Sequence, residues 1–396
     1  MGSLRFLLAL AVAGAHAASM FGFAGNWILP GSRAVQIFYI ISGFLMAMIL
    51  NEKYPNTLQG NLFFYRNRAA KIFAPYLTIL AVTVLVCLLA KATTGYALLL
   101  QFWFDRAGDM TLSTWVFAIL TNLFIVGQEW GYLLAYQAGA LFYSLHAASS
   151  PPVEAEFTII GPAWTLSIEL LFYVVAPFIL RRNLLVLVAL ACASHAFRLF
   201  SYRAGFYSDA TDYRFFPFEL SLFLYGTICF RLGKFLPTFD VKASAAVTAI
   251  VVFMILELPN YFLVHQYQFY FCIGALLPIL FDFSRKMQWD RSLGDLSYSL
   301  YLAHWPVAFC LAAFTNSVQP SSFGTVWMYP WLAVAASVGA AALVNRLVVA
   351  PVDHWRQSTT WRTHDISLVS VGPSESALND PDPFVRDNRR LAGSEG

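Results

Sequence analysis

The sequence predicts an all-α polytopic membrane protein of about ten transmembrane helices, with the N- and C-termini cytoplasmic. Three observations lead there. Of 396 residues, 59% are hydrophobic and only 12% charged, whereas soluble domains run near 25% charged. Apolar runs long enough to cross a hydrocarbon core of about 30 Å recur along the chain. Basic residues collect in alternate connections, which sets the orientation. The net charge of +3 is small and dispersed, so no nucleic-acid partner is expected. Five cysteines stand singly in apolar runs with no CxxC or Cys/His cluster; neither a disulfide framework nor a metal site is expected.

Taken in order, the apolar runs fall at about 4–24, 33–50, 72–90, 165–180, 184–200, 215–231, 243–258, 262–281, 296–315 and 327–349. The interval 96–147 is apolar but broken by Asp105, Arg106, Asp109, Glu129 and glycines. It holds either two more spans or a re-entrant, interfacial segment. Lys53, Arg66, Arg68 and Lys71 lie near the entry to the third run, and Arg181 and Arg182 follow the fourth. Arg231, Lys234, Arg285, Lys286 and Arg291 mark two further loops on the same side. An outer loop bounded by aromatics is expected around 146–163. The membrane domain is expected over 1–350. From 351 to 396 the composition turns polar, and a disordered cytoplasmic tail is expected.

The first run, Leu4 to Phe23, holds two side chains able to carry charge, Arg5 and His16. Eleven residues apart, they share one helix face about 16 Å apart. Arg5 would sit near one membrane surface and His16 near mid-depth. Ionisable groups at such depth face a protein interior or a water-filled cavity and mark function. Against this stand a cleaved signal peptide ending at Ala15-His16-Ala17 and a purely packing histidine.

Four other stretches are polar for their setting. Ser42-Gly43, in the second run, reads alone as a small-residue packing notch. Arg66, Arg68 and Lys71 are either a positive-inside anchor or a phosphate cradle. Glu169, near Trp164 and Tyr173 at the start of the fourth run, is costly in lipid unless paired or used. His304 lies one turn from Tyr301, and packing and site roles both stay open. Arg214 and Glu219 are placed to pair.

Together these stretches resemble the membrane-bound acyltransferase 3 family, the O-acetyltransferases of bacterial surface polysaccharides. Arg5 and His16 match its Arg-x10-His motif. Ile37-Phe38-Tyr39-Ile-Ile-Ser42-Gly43-Phe44-Leu45 is similar to its FF-x-x-SGFL segment. Trp164-Thr-Leu-Ser167-Ile-Glu169…Phe172-Tyr173…Pro177 resembles WSLxxExxFYxxxP. Gly294…Ser297-Tyr298-Ser-Leu-Tyr301-Leu-Ala-His304-Trp305-Pro306 resembles GxxSYSLYLxHxP. The likeness runs from Arg5 to about Trp355. It departs at Lys71, where the family has a second arginine, and at Ala350, where an acidic residue often precedes Pro351. No esterase-like domain follows, as in the stand-alone form.

The resemblance implies transfer of an acyl group, most simply acetyl, from cytoplasmic acyl-coenzyme A to a carbohydrate hydroxyl, in the inner membrane of a bacterium. It assigns the coenzyme phosphates to Arg66, Arg68 and Lys71. His16 is then general base or first acyl acceptor, and Arg5 positions the donor. Glu169 partners a histidine or the acceptor hydroxyl. Trp164, Tyr173, Ser42 and His304 are assigned to substrate binding, and membrane lipid is the surrounding partner. A proton-coupled exporter of a glycan precursor or small anion is the competing reading, since intramembrane Arg, His and Glu suit it too. Repeat-built transporters show two matching halves, and the sequence has no such symmetry.

Overall fold

Helices occupy nearly every apolar run, because a backbone in hydrocarbon must satisfy its own hydrogen bonds. The computed structural model describes residues 1–23, 29–145, 147, 152–206, 208, 211, 213–236, 241–257, 266–318 and 328–358. Among them, eight helices are long and apolar enough to cross a membrane, so the chain is a multi-pass membrane protein. Two further helices coincide with the remaining predicted runs. Phe216–Gly233 carries Glu219 and Arg231 near its ends, and Val241–Glu257 is 17 residues long.

Helix α1 (Gly2–Met20) lies among α2 (Gly31–Glu52), α11 (Gln288–Val318) and α12 (Met328–Val344). Its leucines and alanines are almost wholly buried. A removable leader has no need of such packing. The first turn is held from α11: the amides of Gly2 and Ser3 and the Ser3 hydroxyl donate to the Asp290 carboxylate at 2.7–2.8 Å. A carboxylate there complements the positive end of the helix dipole.

The predicted run at 72–90 belongs to a longer helix, α3 (Leu58–Thr94). Thr57 accepts from the Gly60 amide to start it, and Gly95 at φ 80° ends it. Hydropathy finds the lipid-buried part only, so Arg66, Arg68 and Lys71 sit on a helix rather than in a connection. Among its described residues, the interval 96–147 contains no helix long enough to cross. It contains α4 (Gln101–Arg106), α5 (Leu112–Phe124) and a hairpin, β1 (Leu134–Gln137) with β2 (Ala140–Tyr143). The 13 residues of α5 rise about 20 Å, short of a 30 Å core. This segment is organised by buried Phe157, whose ring meets those of Phe102, Trp103 and Tyr136.

The other long helices are α6 (Trp164–Ile179), α7 (Leu184–Arg203), α8 (Phe216–Gly233), α9 (Val241–Glu257) and α10 (Gln266–Ser284). Helix α8 lies against α2 so closely that a Cβ on Gly43 would come 1.9 Å from the Phe223 carbonyl oxygen, and one on Gly226 1.9 Å from that of Ile40. The notch read at Gly43 is therefore real. Arg181 closes the α2–α3 corner, donating to Asn56 and Asn61 and to carbonyls at the end of α2. Glu219 takes Arg198 of α7 as an ion-pair partner and also accepts from Gln36. Arg214 lies over the rings of Tyr132, Tyr213 and Trp164.

After α12 a π turn, Asn345–Val349, leads into α13 (Ala350–Ser358). The predicted polar tail from 351 thus begins as helix; its remainder, 359–396, lies outside the described residues.

Candidate functional site

Two chambers line up along the polar face of α1. The inner one, of about 60 Å³, is lined by Arg5, Phe38, Tyr39, Ser42, Thr165, Glu169, Tyr298 and Tyr301. The outer one, of about 270 Å³, is lined by His16, Ser32, Tyr132, Gly161, Trp164, Tyr213, Arg214 and Trp305. Val35 and Tyr301 line both and form the wall between them. The spacing of Arg5 and His16 on one helix face accordingly delivers one residue to each chamber.

In the inner chamber Glu169 accepts from the Ser42 hydroxyl at 2.7 Å and from the Tyr173 hydroxyl. Helix periodicity explains half of this, since Tyr173 lies one turn beyond Glu169 on α6. The other half depends on α2, whose Gly43 lets α8 approach while Ser42 turns toward α6. Tyr298 donates to the Ile72 carbonyl at 3.0 Å, tying α11 to α3 beneath the chamber. Tyr301 shares a 2.9 Å hydrogen bond with Thr165, which fixes one face of the wall.

In the outer chamber His16 Nδ1 lies 2.8 Å from His304 Nε2. The two imidazoles are parallel within 1°, with centroids 5.1 Å apart. Trp305 meets His16 edge-on at 5.2 Å. A Cβ on Gly161 would strike the Trp305 indole at 2.7 Å, so only glycine lets the 161–163 turn pack there. Arg214 lies 3.7 Å from the Tyr132 centroid and 4.7 Å from that of Trp164. A guanidinium against several aromatic faces is held by cation–π attraction.

The basic residues lie at the inner end. Lys71 is 3.9 Å from Asp295. Arg66 lies over the rings of Phe63 and Trp355, at 4.7 and 5.4 Å. Lys71 and Arg68 are a turn apart on α3. Arg66, Arg68 and Lys71 make this end cationic, partly neutralised by Asp295.

The predicted residues therefore separate into three groups. Arg5, Ser42 and Glu169 meet in the inner chamber, with Tyr173 behind Glu169. His16, Trp164 and His304 meet at the outer one. Arg66, Arg68 and Lys71 stay at the helix end. His16 pairs with His304, and Glu169, expected to partner a histidine or the acceptor hydroxyl, accepts from Ser42 and Tyr173. Polar side chains on two different helices pair by packing register, which one sequence does not reveal. Sequence reasoning missed Trp305 and Gly161 as site residues.

A family model described as an acyltransferase domain matches residues 2–345. The chain is also 27% identical over 304 residues, 72% of its own length and 68% of the relative's, to a Komagataeibacter xylinus protein carrying the provisional name membrane-bound transacylase BcsY. No solved structure matches.

Proposed function

The chain belongs to the membrane-bound acyltransferase 3 family and is an acyltransferase; from that premise we propose that it moves an acyl group, acetyl in the simplest case, from cytoplasmic acyl-coenzyme A to a hydroxyl of a carbohydrate. The observation that carries the reading is the pair of chambers along α1, with Arg5 in one, His16 in the other, and Val35 and Tyr301 lining both. Donor and acceptor need separate approaches to one reactive atom, and this arrangement supplies them.

The donor enters at the cationic end. Arg66, Arg68 and Lys71 hold its phosphates, arginine in a bidentate fork and lysine as a point charge. The narrow arm of the coenzyme passes the inner chamber, where Arg5 and the Ser42–Glu169 pair direct it, and the wall side chains turn aside for the thioester. The sugar occupies the outer chamber among Tyr132, Trp164, Tyr213 and Trp305, whose flat faces suit a pyranose ring. His16 takes the hydroxyl proton as the new C–O bond forms and the C–S bond breaks. That proton then passes to the departing thiolate, giving free coenzyme A. In the covalent version the same nitrogen attacks the thioester first, and the hydroxyl displaces it.

This reading includes ten crossings, both termini cytoplasmic, in a bacterial inner membrane. Helix direction supports the count. Helix α8 runs parallel to α2, since Gln36 meets Glu219, Tyr39 meets Phe223, and Gly43 meets Thr227. Helix α11 runs parallel to α1, since Ser3 meets Asp290 and His16 meets His304. If α8 crosses beside α2, then α9 must cross as well for α11 to point with α1. The cations Arg68, Lys71, Arg181 and Arg231 gather on the side this gives to the cytoplasm.

The test is release of coenzyme A, and transfer of label, from radiolabelled acetyl-coenzyme A by the purified protein with glycan extracts. Turnover that disappears in His16→Ala while the protein stays folded supports the reading. Absence of turnover with every extract returns the protein to the exporter reading. Turnover surviving in His16→Ala keeps the enzyme and removes His16 from its centre.

A further inference from the structure

We infer that His304 fixes the tautomer of His16, so that His16 Nε2 is the atom presented to substrate and His304 is a positioning residue. The kinetic consequence rests on the acyl-transfer reading; the geometry stands apart from it.

The assignment follows from a chain of three contacts. His304 Nδ1 lies 3.2 Å from the Leu300 carbonyl oxygen, one turn back on α11. A carbonyl oxygen offers only lone pairs, so Nδ1 of His304 carries the hydrogen. A neutral imidazole has one such hydrogen, which leaves His304 Nε2 as an acceptor. That Nε2 is 2.8 Å from His16 Nδ1. Two lone pairs would repel at that separation, so His16 Nδ1 donates. The lone pair of His16 is then on Nε2, the remaining nitrogen of a ring that lines the outer chamber.

Nothing in this chain is left to rotate. His304 is 1% exposed, and its own carbonyl contact is intrahelical. The in-line contact between the two parallel rings and the perpendicular Trp305 set the plane of His16. A packing residue alone needs no such polarity, and a polar pair at this depth is costly in lipid. What the pair supplies is direction. With its hydrogen on Nε2, His16 would hold its lone pair on Nδ1, against His304, where it could neither take the acceptor's proton nor attack a thioester. With the hydrogen held on Nδ1, it can do either. When Nε2 takes up the proton, the Nδ1–H bond to His304 becomes charge-assisted and strengthens, and the Leu300 carbonyl holds the far end of the series.

Two measurements on the full chain in detergent test this. Nitrogen NMR of histidine-labelled protein, with His16 identified by subtracting the His16→Asn spectrum, is expected to show hydrogen on Nδ1 and none on Nε2. In His304→Leu the hydrogen redistributes toward Nε2, whereas His304→Gln, whose side-chain carbonyl accepts from Nδ1–H, keeps it on Nδ1. In release of coenzyme A from acetyl-coenzyme A, His304→Leu lowers kcat on the order of 100-fold with KM for the donor unchanged within about twofold. His304→Gln recovers about tenfold of that loss. Hydrogen found on Nε2 of wild-type His16, or equal kinetics in the Leu and Gln variants, overturns the inference. A wild-type protein that never releases coenzyme A refutes the acyl-transfer reading instead, and the spectrum still decides the tautomer.

Discussion

The two chambers along α1 are built from opposite materials. The inner one, of about 60 Å³, is lined by a cation and by a carboxylate hydrogen-bonded to hydroxyls. The outer one, of about 270 Å³, has aromatic walls, a histidine pair and Arg214, and no carboxylate among its described lining residues. The first arrangement suits a passage that guides a thin, polar arm. The second suits a seat for a bulky ring beside a reactive nitrogen. The proposed acyl transfer uses the difference between these two environments, which a single helix joins.

Five experiments break or sharpen that contrast. His16→Ala is expected to cut acyl transfer about 10³-fold, read as label transferred from acetyl-coenzyme A. Gly43→Ala forces α2 from α8, because the new Cβ would lie 1.9 Å from the Phe223 carbonyl oxygen. About 3 kcal/mol of stability should be lost, seen as a lower unfolding temperature, with the inner chamber disturbed before the outer. Glu169→Leu strands the Ser42 and Tyr173 hydroxyls. Activity should fall about 10- to 100-fold, in line with 1–3 kcal/mol for hydroxyls left unpaired, while sugar binding at the outer chamber, followed by Trp fluorescence, is retained. Lys71→Ala should raise KM for the donor about tenfold and leave kcat unchanged, with the effect shrinking at high salt.

The smallest effect lies beside the outer chamber. Burial pushes the Glu129 carboxyl up from its ordinary value of 4.5, although hydrogen bonds from Ser167 and Gly127 oppose this. A carboxyl raised in the folded state binds its proton more tightly there than in the unfolded chain. Stability is therefore lost as pH rises from 4.5 through the folded value. Glu129→Gln should flatten the unfolding temperature against pH across that window, and an unchanged slope would assign the dependence to another group.

Much of this was legible in the sequence. Arg5 and His16 announce themselves because a charge-bearing residue in a long apolar run is rare and costly. Their common face follows from helix geometry alone. Glu169 and His304 stand out for the same reason, whereas Ser42 and Tyr173 enter through the resemblance. Their partners do not, because contacts between helices depend on crossing and register. Gly43 read as a packing notch and is one, yet its neighbour Ser42 serves the chamber; the two functions differ by a single step of 100° round the helix. The segment 96–147 was ambiguous since a short amphipathic fold and a broken span have similar composition.

The clamp between α1 and α11 has a consequence in time. His16 and His304 are 288 positions apart in the chain, as are Ser3 and Asp290 within one residue. At a synthesis rate of about 5–20 residues per second, α1 waits roughly 15–60 seconds before its partner is made. During that interval its first-turn amides and His16 have none of the contacts that hold them in the finished protein. A helix made early, α1 is among the last to be completed, because its partner residues lie 287 and 288 positions further along the chain.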